Sequence, residues 1–240
     1  MIGRVEVWHA DPRSFATFER ADACLALLDE AERVRLGRFR LEADRTAWLV
    51  AHALLRAALS RHAPVDPRRW RFRTTAEGKP FVEDPAAHRD LSFSLAHTAG
   101  RVAIAVIAEG PVGVDVEHIG RSGALEEIQD RYLSPLEADA LRTAGPGGRE
   151  ERLLAYWTLK EAYVKARGTG LDAHLQGLSF HLDEGPSIWL TCNEDLDEDP
   201  GGWTFIRASA GPEHVLALAI QERNAGGVDL HEALELPLPY

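Results

Sequence analysis

Asp115 and Glu117 stand two residues apart in Val112-Gly113-Val114-Asp115-Val116-Glu117, a run that reads as a β-strand. Alternation along a strand puts both carboxylates on one face and Val114 and Val116 on the other. Two anions that close repel unless a cation or a proton comes between them. An acidic, solvent-facing strand edge would look the same, and the pair alone does not decide. With 43 residues between Glu117 and Glu161, a second group follows: Trp157, Glu161 and Lys165 recur every four residues and share one face of a helix expected over 153–167. Glu161 and Lys165 could be an ordinary exposed pair worth roughly 0.3 kcal/mol. With Lys160, they could instead bring a third carboxylate and two ammonium groups to the first two acids. Such oxygen-only ligands suit Mg²⁺ carried on phosphates, with Mn²⁺ as the alternative, and lysines beside them would stabilise phosphate charge. Cys24 and Cys192 stand far apart in no ligand spacing, which argues against zinc and against a disulfide framework.

The elements that must hold these residues repeat. Val5 to Trp8 alternates as a first strand, and Asp29-Glu30-Ala31-Glu32 opens a helix expected to run to about Arg40. Trp48, Leu49, Ala51, Leu54, Leu55 and Ala58 form an apolar helical stripe over 44–61. Strands follow at 70–73, 91–95 and 102–108, with a turn at Gly78-Lys79-Pro80. After 112–117, Ser134-Pro135-Leu136-Glu137 reads as a capping box, 145–148 as a glycine-rich loop, and Gly168 as the cap of helix 153–167. Strands are expected at 178–182, 188–190, 203–206 and 215–220, with an acidic hairpin loop over 193–202. Each half thus has a long helix followed by strands, the last strongly apolar. We expect an α+β protein of two similar halves about a pseudo-twofold axis, residues 1–111 and 112–240, packed tightly because no low-complexity linker joins them.

Composition narrows the function. The chain opens on no apolar run like a signal peptide's, and nowhere are eighteen consecutive residues apolar. A soluble, cytoplasmic protein with no membrane partner is expected. A net charge of −11 argues against nucleic-acid binding. Yet residues 33–73 hold eleven arginines against three acids, a net +8, leaving −19 on the rest. Arginine is the side chain best matched to phosphate and carboxylate, so some of these, Arg35 and Arg38 first, could face a phosphate-rich ligand or an acidic protein.

GVDVE (113–117) and WTLKEAYVKARGTGL (157–171) resemble the two signature motifs of the 4′-phosphopantetheinyl transferase superfamily. GKPF (78–81), FSLAHT (93–98) and the Arg38-Phe39…Asp44-Arg45 region agree in order, and the separation of the motifs resembles the long, pseudo-dimeric class. The resemblance spans roughly residues 30 to 171. It implies an enzyme that moves phosphopantetheine from coenzyme A to a serine of an acyl or peptidyl carrier protein. Asp115, Glu117 and Glu161 would hold Mg²⁺, with Glu161 also the acceptor of the serine proton. Lys165 and Lys160 would contact phosphates; Lys79, His97 and arginines such as Arg35, Arg38 or Arg45 would hold the nucleotide end. Ala96 stands where the family often has serine, so no serine contact carries over, although Ser94 and Thr98 flank it. The resemblance also implies a monomer whose internal pseudo-dimer completes the site. A metal-dependent phosphohydrolase and a non-catalytic binding module are the competing readings. The first would not need Lys79 and His97, and the second would lack a metal ligand.

Overall fold

A computed structural model describes residues 4–170, 175–182, 187–193, 199–222 and 227–238. In chain order the elements are β1 (Val5–Ala10), α1 (Phe18–Leu27), α2 (Glu30–Leu36), α3 (Glu42–His62), β2 (Arg71–Thr74), β3 (Pro80–Asp84), β4 (Ser92–Thr98) and β5 (Arg101–Ile107). There follow β6 (Val112–His118), α4 (Ser122–Glu126), α5 (Pro135–Thr143), α6 (Pro146–Arg167), β7 (Leu178–Leu182), β8 (Ile188–Cys192), β9 (Thr204–Ser209), β10 (His214–Ile220) and β11 (Val228–Glu232).

The duplication is topological. One half runs strand β1, long helix α3, hairpin β2–β3, then β4 and β5, with sheet order β1-β5-β4. The other runs β6, α6, hairpin β7–β8, then β9 and β10, with sheet order β6-β10-β9. The two sheets pack face to face, Val5, Val7, Ala103 and Ala105 against Val112, Val114, Val116, Leu216 and Leu218. Helix α3 covers the outer face of the first sheet and α6 that of the second, each with its own apolar core. The strand period of two therefore decides which residues of β6 see α6: not the valines but Gly113, Asp115 and Glu117.

Three expectations need correction. The loop expected at 145–148 is the first turn of α6, which starts seven residues before Leu153. Glycines are cheap there because the first N–H groups of a helix need no intrahelical partner. Helix α2 stops at Leu36, not Arg40, with Gly37 as its C-cap. The C-terminal segment does not stay with the second half. β11 pairs in parallel with β1, Val5 opposite Val228, and Ala233 joins the core beneath α3. A parallel pairing across the whole chain leaves no local signature, so the division at 111/112 cannot hold for residues beyond 227. Residues 194–198 of the acidic loop expected at 193–202 lie outside the described residues, as does Leu171.

Arg56 is wholly buried and structural. It binds Asp29 and Glu32 of the α2 cap and the carbonyl oxygens of Pro67 and Trp70. Both cysteines are free, and burial pushes the Cys24 thiol up to about 12, which makes it inert. Among the described residues no helix is long and apolar enough to cross a membrane.

Candidate active site between the halves

α6 lies directly on the acidic face of β6. A Cβ built on Gly113 would meet the Ala162 carbonyl oxygen at 1.9 Å, so only glycine lets the helix come this close. The solvent-facing edge is thereby excluded: Asp115 is 5% and Glu117 3% exposed. The helical face expected from the spacing of Trp157, Glu161 and Lys165 meets them. Trp157 donates its indole N–H to Glu117 Oε1 at 3.0 Å, and Lys165 Nζ pairs with Asp115 Oδ1 at 2.6 Å. Glu161 sits between, with no hydrogen bond or ion pair among the described residues. Arg121, its guanidinium over the Trp157 ring, also binds Glu117 Oε1, and Thr98 donates to Oε2 at 3.1 Å.

The electrostatics are unbalanced towards the negative. Asp115 Oδ2 is buried with no hydrogen-bond partner among the described residues. Burial first, then the neighbouring Glu117 charge, push the Asp115 carboxyl up to about 6 despite Lys165. Burial and Asp115 likewise raise Glu161, with Lys165 and Arg121 opposing. Among the described residues no group of three or more acidic, histidine or cysteine side chains is placed to hold a metal ion. The arrangement is a set of hard oxygen donors short of both charge and ligands.

This acidic layer opens on a cleft of about 420 Å³ between α6 and the first half. Glu161, Lys165, Gly168 and Gly170 form one wall; Arg35, His52, Phe72, Lys79 and Ser94 are on the other. Gly78, left-handed at φ +89°, turns the β2–β3 hairpin so that Lys79 crosses to α6 and donates to the Ala166 carbonyl. Burial lowers the Lys79 pKa. His97 is exposed at the end of β4. The protein around the ring, then Lys165, hold its imidazole below the usual value, and Asp44 and His52 are also near. Arg35 packs over Trp48, on which His52 also stacks at 3.8 Å. Lys79→Met should detach the hairpin from α6 and weaken binding of any phosphate ligand about tenfold, as a titration of that ligand would show.

His97 itself is not among the residues lining the cleft, and three further candidates lie elsewhere. Lys160 lies in the core, 0% exposed, bound to Glu137 and two carbonyl oxygens. Helical geometry explains the departure: one residue from Glu161 is about 100° round the axis. Arg38 lines a separate groove beside α2 with Val34 and Phe39, and Arg45 pairs with Glu42 at 3.4 Å. Ser94 accepts the Val114 N–H and so links the halves beside the cleft. The sequence reading missed Arg121 and His52. Arg121 stands four residues after Glu117, and His52 shares the cleft side of α3, but neither spacing distinguishes a ligand from a surface charge.

Comparison with known proteins agrees with the two-part plan. Residues 9–109 match the family model "4′-phosphopantetheinyl transferase, N-terminal", and residues 111–219 match the "4′-phosphopantetheinyl transferase superfamily" model. The phosphopantetheinyl transferase of Thraustochytrium sp. is 30% identical over 236 residues, covering 93% of this chain and 81% of that protein. The 4′-phosphopantetheinyl transferase HetI of Nostoc sp. is 31% identical over 65% of this chain and 66% of its own length. The transferase Sfp of Bacillus subtilis is 28% identical over 71% and 73% respectively. With a relative this similar along nearly its whole length, the chain belongs to the 4′-phosphopantetheinyl transferase superfamily.

Proposed function

We propose that this protein transfers the 4′-phosphopantetheine group of coenzyme A to a serine of an acyl or peptidyl carrier protein, releasing 3′,5′-ADP. The observation carrying this reading is a cleft that brings Glu161 and Lys165, which lie beside the buried Asp115, opposite a wall with Lys79 and Arg35. The donor set fits a hard cation: among the described residues Asp115 has an orphaned oxygen, Glu161 has no hydrogen-bond partner, and Glu117 Oε2 accepts a single hydrogen bond. Asp115, Glu117 and Glu161 would hold Mg²⁺, or Mn²⁺ in its place, and phosphate oxygens would complete the shell. When bound, the ion neutralises charge on the bridging phosphates.

The chain's own groups do the rest. The carrier serine hydroxyl attacks the β-phosphorus in line, and the bond to the 3′,5′-ADP oxygen breaks. Glu161, raised by burial and by Asp115, accepts the serine proton. Lys165, held by Asp115 at 2.6 Å, meets phosphate charge as the leaving group departs. Lys79, His97 and Arg35 hold the nucleotide end, so the first half binds the nucleotide and the second performs the transfer. The carrier approaches the cleft mouth near Arg121 and the exposed Ile119, within 119–133. One chain suffices, because both walls of the cleft come from it.

The test is to incubate the protein with apo-carrier, coenzyme A and Mg²⁺ and weigh the carrier by mass spectrometry. A phosphopantetheine mass gain is expected, and Glu161→Gln should slow it about a hundredfold. No gain with fatty-acid, polyketide and peptide carriers would overturn the reading; free phosphate from coenzyme A would point to a hydrolase. A near-normal rate for Glu161→Gln would overturn the base assignment alone.

A further inference from the structure

Lys160 neighbours Glu161 in sequence, yet its ammonium has nothing left to offer a phosphate. Nζ donates to the Leu175 and Leu178 carbonyl oxygens, both at 2.6 Å, and pairs with Glu137 Oε2 at 2.9 Å. Three donors thus meet three acceptors. Glu137, 1% exposed, has both oxygens engaged: Oε1 accepts the Phe180 N–H and Oε2 the Ser134 N–H, each at 2.9 Å. Ser179 Oγ donates to Ser134 Oγ at 2.8 Å beside them. One buried group therefore ties together the cap of α5, the start of β7 and the middle of α6.

We propose that Lys160 and Glu137 are a positioning pair that fixes the rotation of α6 about its axis, and with it the aim of Glu161 into the cleft. The inference rests on the transfer reaction proposed above and concerns residues that touch neither coenzyme A nor carrier. Consecutive helical residues are about 100° apart, so turning Lys160 into the core turns Glu161 onto the face of Trp157 and Lys165. The same ammonium grips Leu175 and Leu178, the far end of the stretch whose Gly168 and Gly170 line the cleft. Stability alone does not call for such a pair, because apolar side chains of similar volume often serve as well as a buried ion pair. Apolar contacts lack the fixed directions of four hydrogen-bonded partners, and direction is what Glu161 needs.

The test is the double variant Lys160→Met/Glu137→Gln, which removes both charges and leaves no unpaired buried ion. Coenzyme A affinity is measured by calorimetry with Mg²⁺, and kcat and KM by carrier loading. The expected result is cooperative melting, a coenzyme A Kd within about threefold of wild type, and a kcat lower by tenfold or more, since small misplacements of reacting groups act on turnover. Wild-type kcat in the folded double variant overturns the proposal. So does a coenzyme A Kd weakened tenfold with kcat retained, which would make Lys160 a phosphate ligand. Should the double variant unfold, Glu137→Gln alone carries the test: a lower kcat at unchanged Kd supports the pair, and an unchanged kcat overturns it. Failure of the wild-type protein to load any carrier would instead count against the transfer reaction.

Discussion

Asp115→Asn should abolish transfer and yet raise the melting temperature. The wild-type carboxyl is pushed up to about 6 by burial and by Glu117, so keeping it ionised at neutral pH costs about 3 kcal/mol relative to the unfolded chain. Asparagine removes that cost. It also deprives Lys165 of its partner, but Lys165 is partly exposed and recovers water. A net gain of about 1 to 2 kcal/mol corresponds to a melting point higher by roughly 2–6 °C in a chain of this size. The sign with pH follows from the direction of the shift. The folded state holds the Asp115 proton more tightly than the unfolded one, so this contribution to wild-type stability falls as pH rises from about 4 to about 6 and is level above. The variant lacks that fall, so the two melting curves should separate across this range. Turnover should drop about a thousandfold, the scale of losing a preorganised charge at the reacting phosphate. Thermal melts at several pH values check the first part and carrier loading the second. A variant less stable than wild type at pH 7 would contradict this account of the site.

Gly113→Ala should be the most damaging single methyl among the described glycines. The added carbon would sit 1.9 Å from the Ala162 carbonyl oxygen and 2.6 Å from the Ala166 nitrogen, both backbone atoms that cannot rotate away. Helix α6 would have to lift from β6, or β6 bend, two residues before Asp115. A loss of about 3 kcal/mol or more is expected, with the carboxylates and Glu161 separated as a consequence. Gly123→Ala in α4 is the control, because nothing lies within 4 Å of its added carbon, and helix propensity favours alanine by up to about 1 kcal/mol. Thermal melting of both decides. A Gly113→Ala protein that melts with the wild type would show that the α6–β6 contact is looser than described.

These two residues also show what a single sequence could and could not convey. The placement of Asp115 and Glu117 on one strand face, and of Trp157, Glu161 and Lys165 on one helix face, follows from local periodicity and appears in the structure unchanged. Capping chemistry was legible at Ser134, which closes the reciprocal box with Glu137; the acid-rich start at Asp29 closes one with Glu32 as well. That the two faces lie on each other came only from the family resemblance, since nothing in Gly113 announces which backbone it must approach. Lys160 was misread because one residue decides between core and cleft, and the core partner, Glu137, lies in another helix. The arginines divided for the same reason. Arg56 found a buried cap and Arg35 the cleft, while Arg38 and Arg45 stayed outside it, and composition counts all of them alike. Helix α1 and strand β11 were missed because their burial depends on elements far away in the chain.

The central claim is that Asp115, Glu117 and Glu161 hold a divalent cation on the pyrophosphate of coenzyme A. Titrating Mn²⁺ into the protein with and without coenzyme A, and counting free ion by electron paramagnetic resonance, tests it most directly. One ion per chain should bind, more tightly when coenzyme A is present, and both Asp115→Asn and Glu161→Gln should weaken that site about tenfold or more while the proteins stay folded. Undiminished Mn²⁺ binding by these two variants would contradict the assignment.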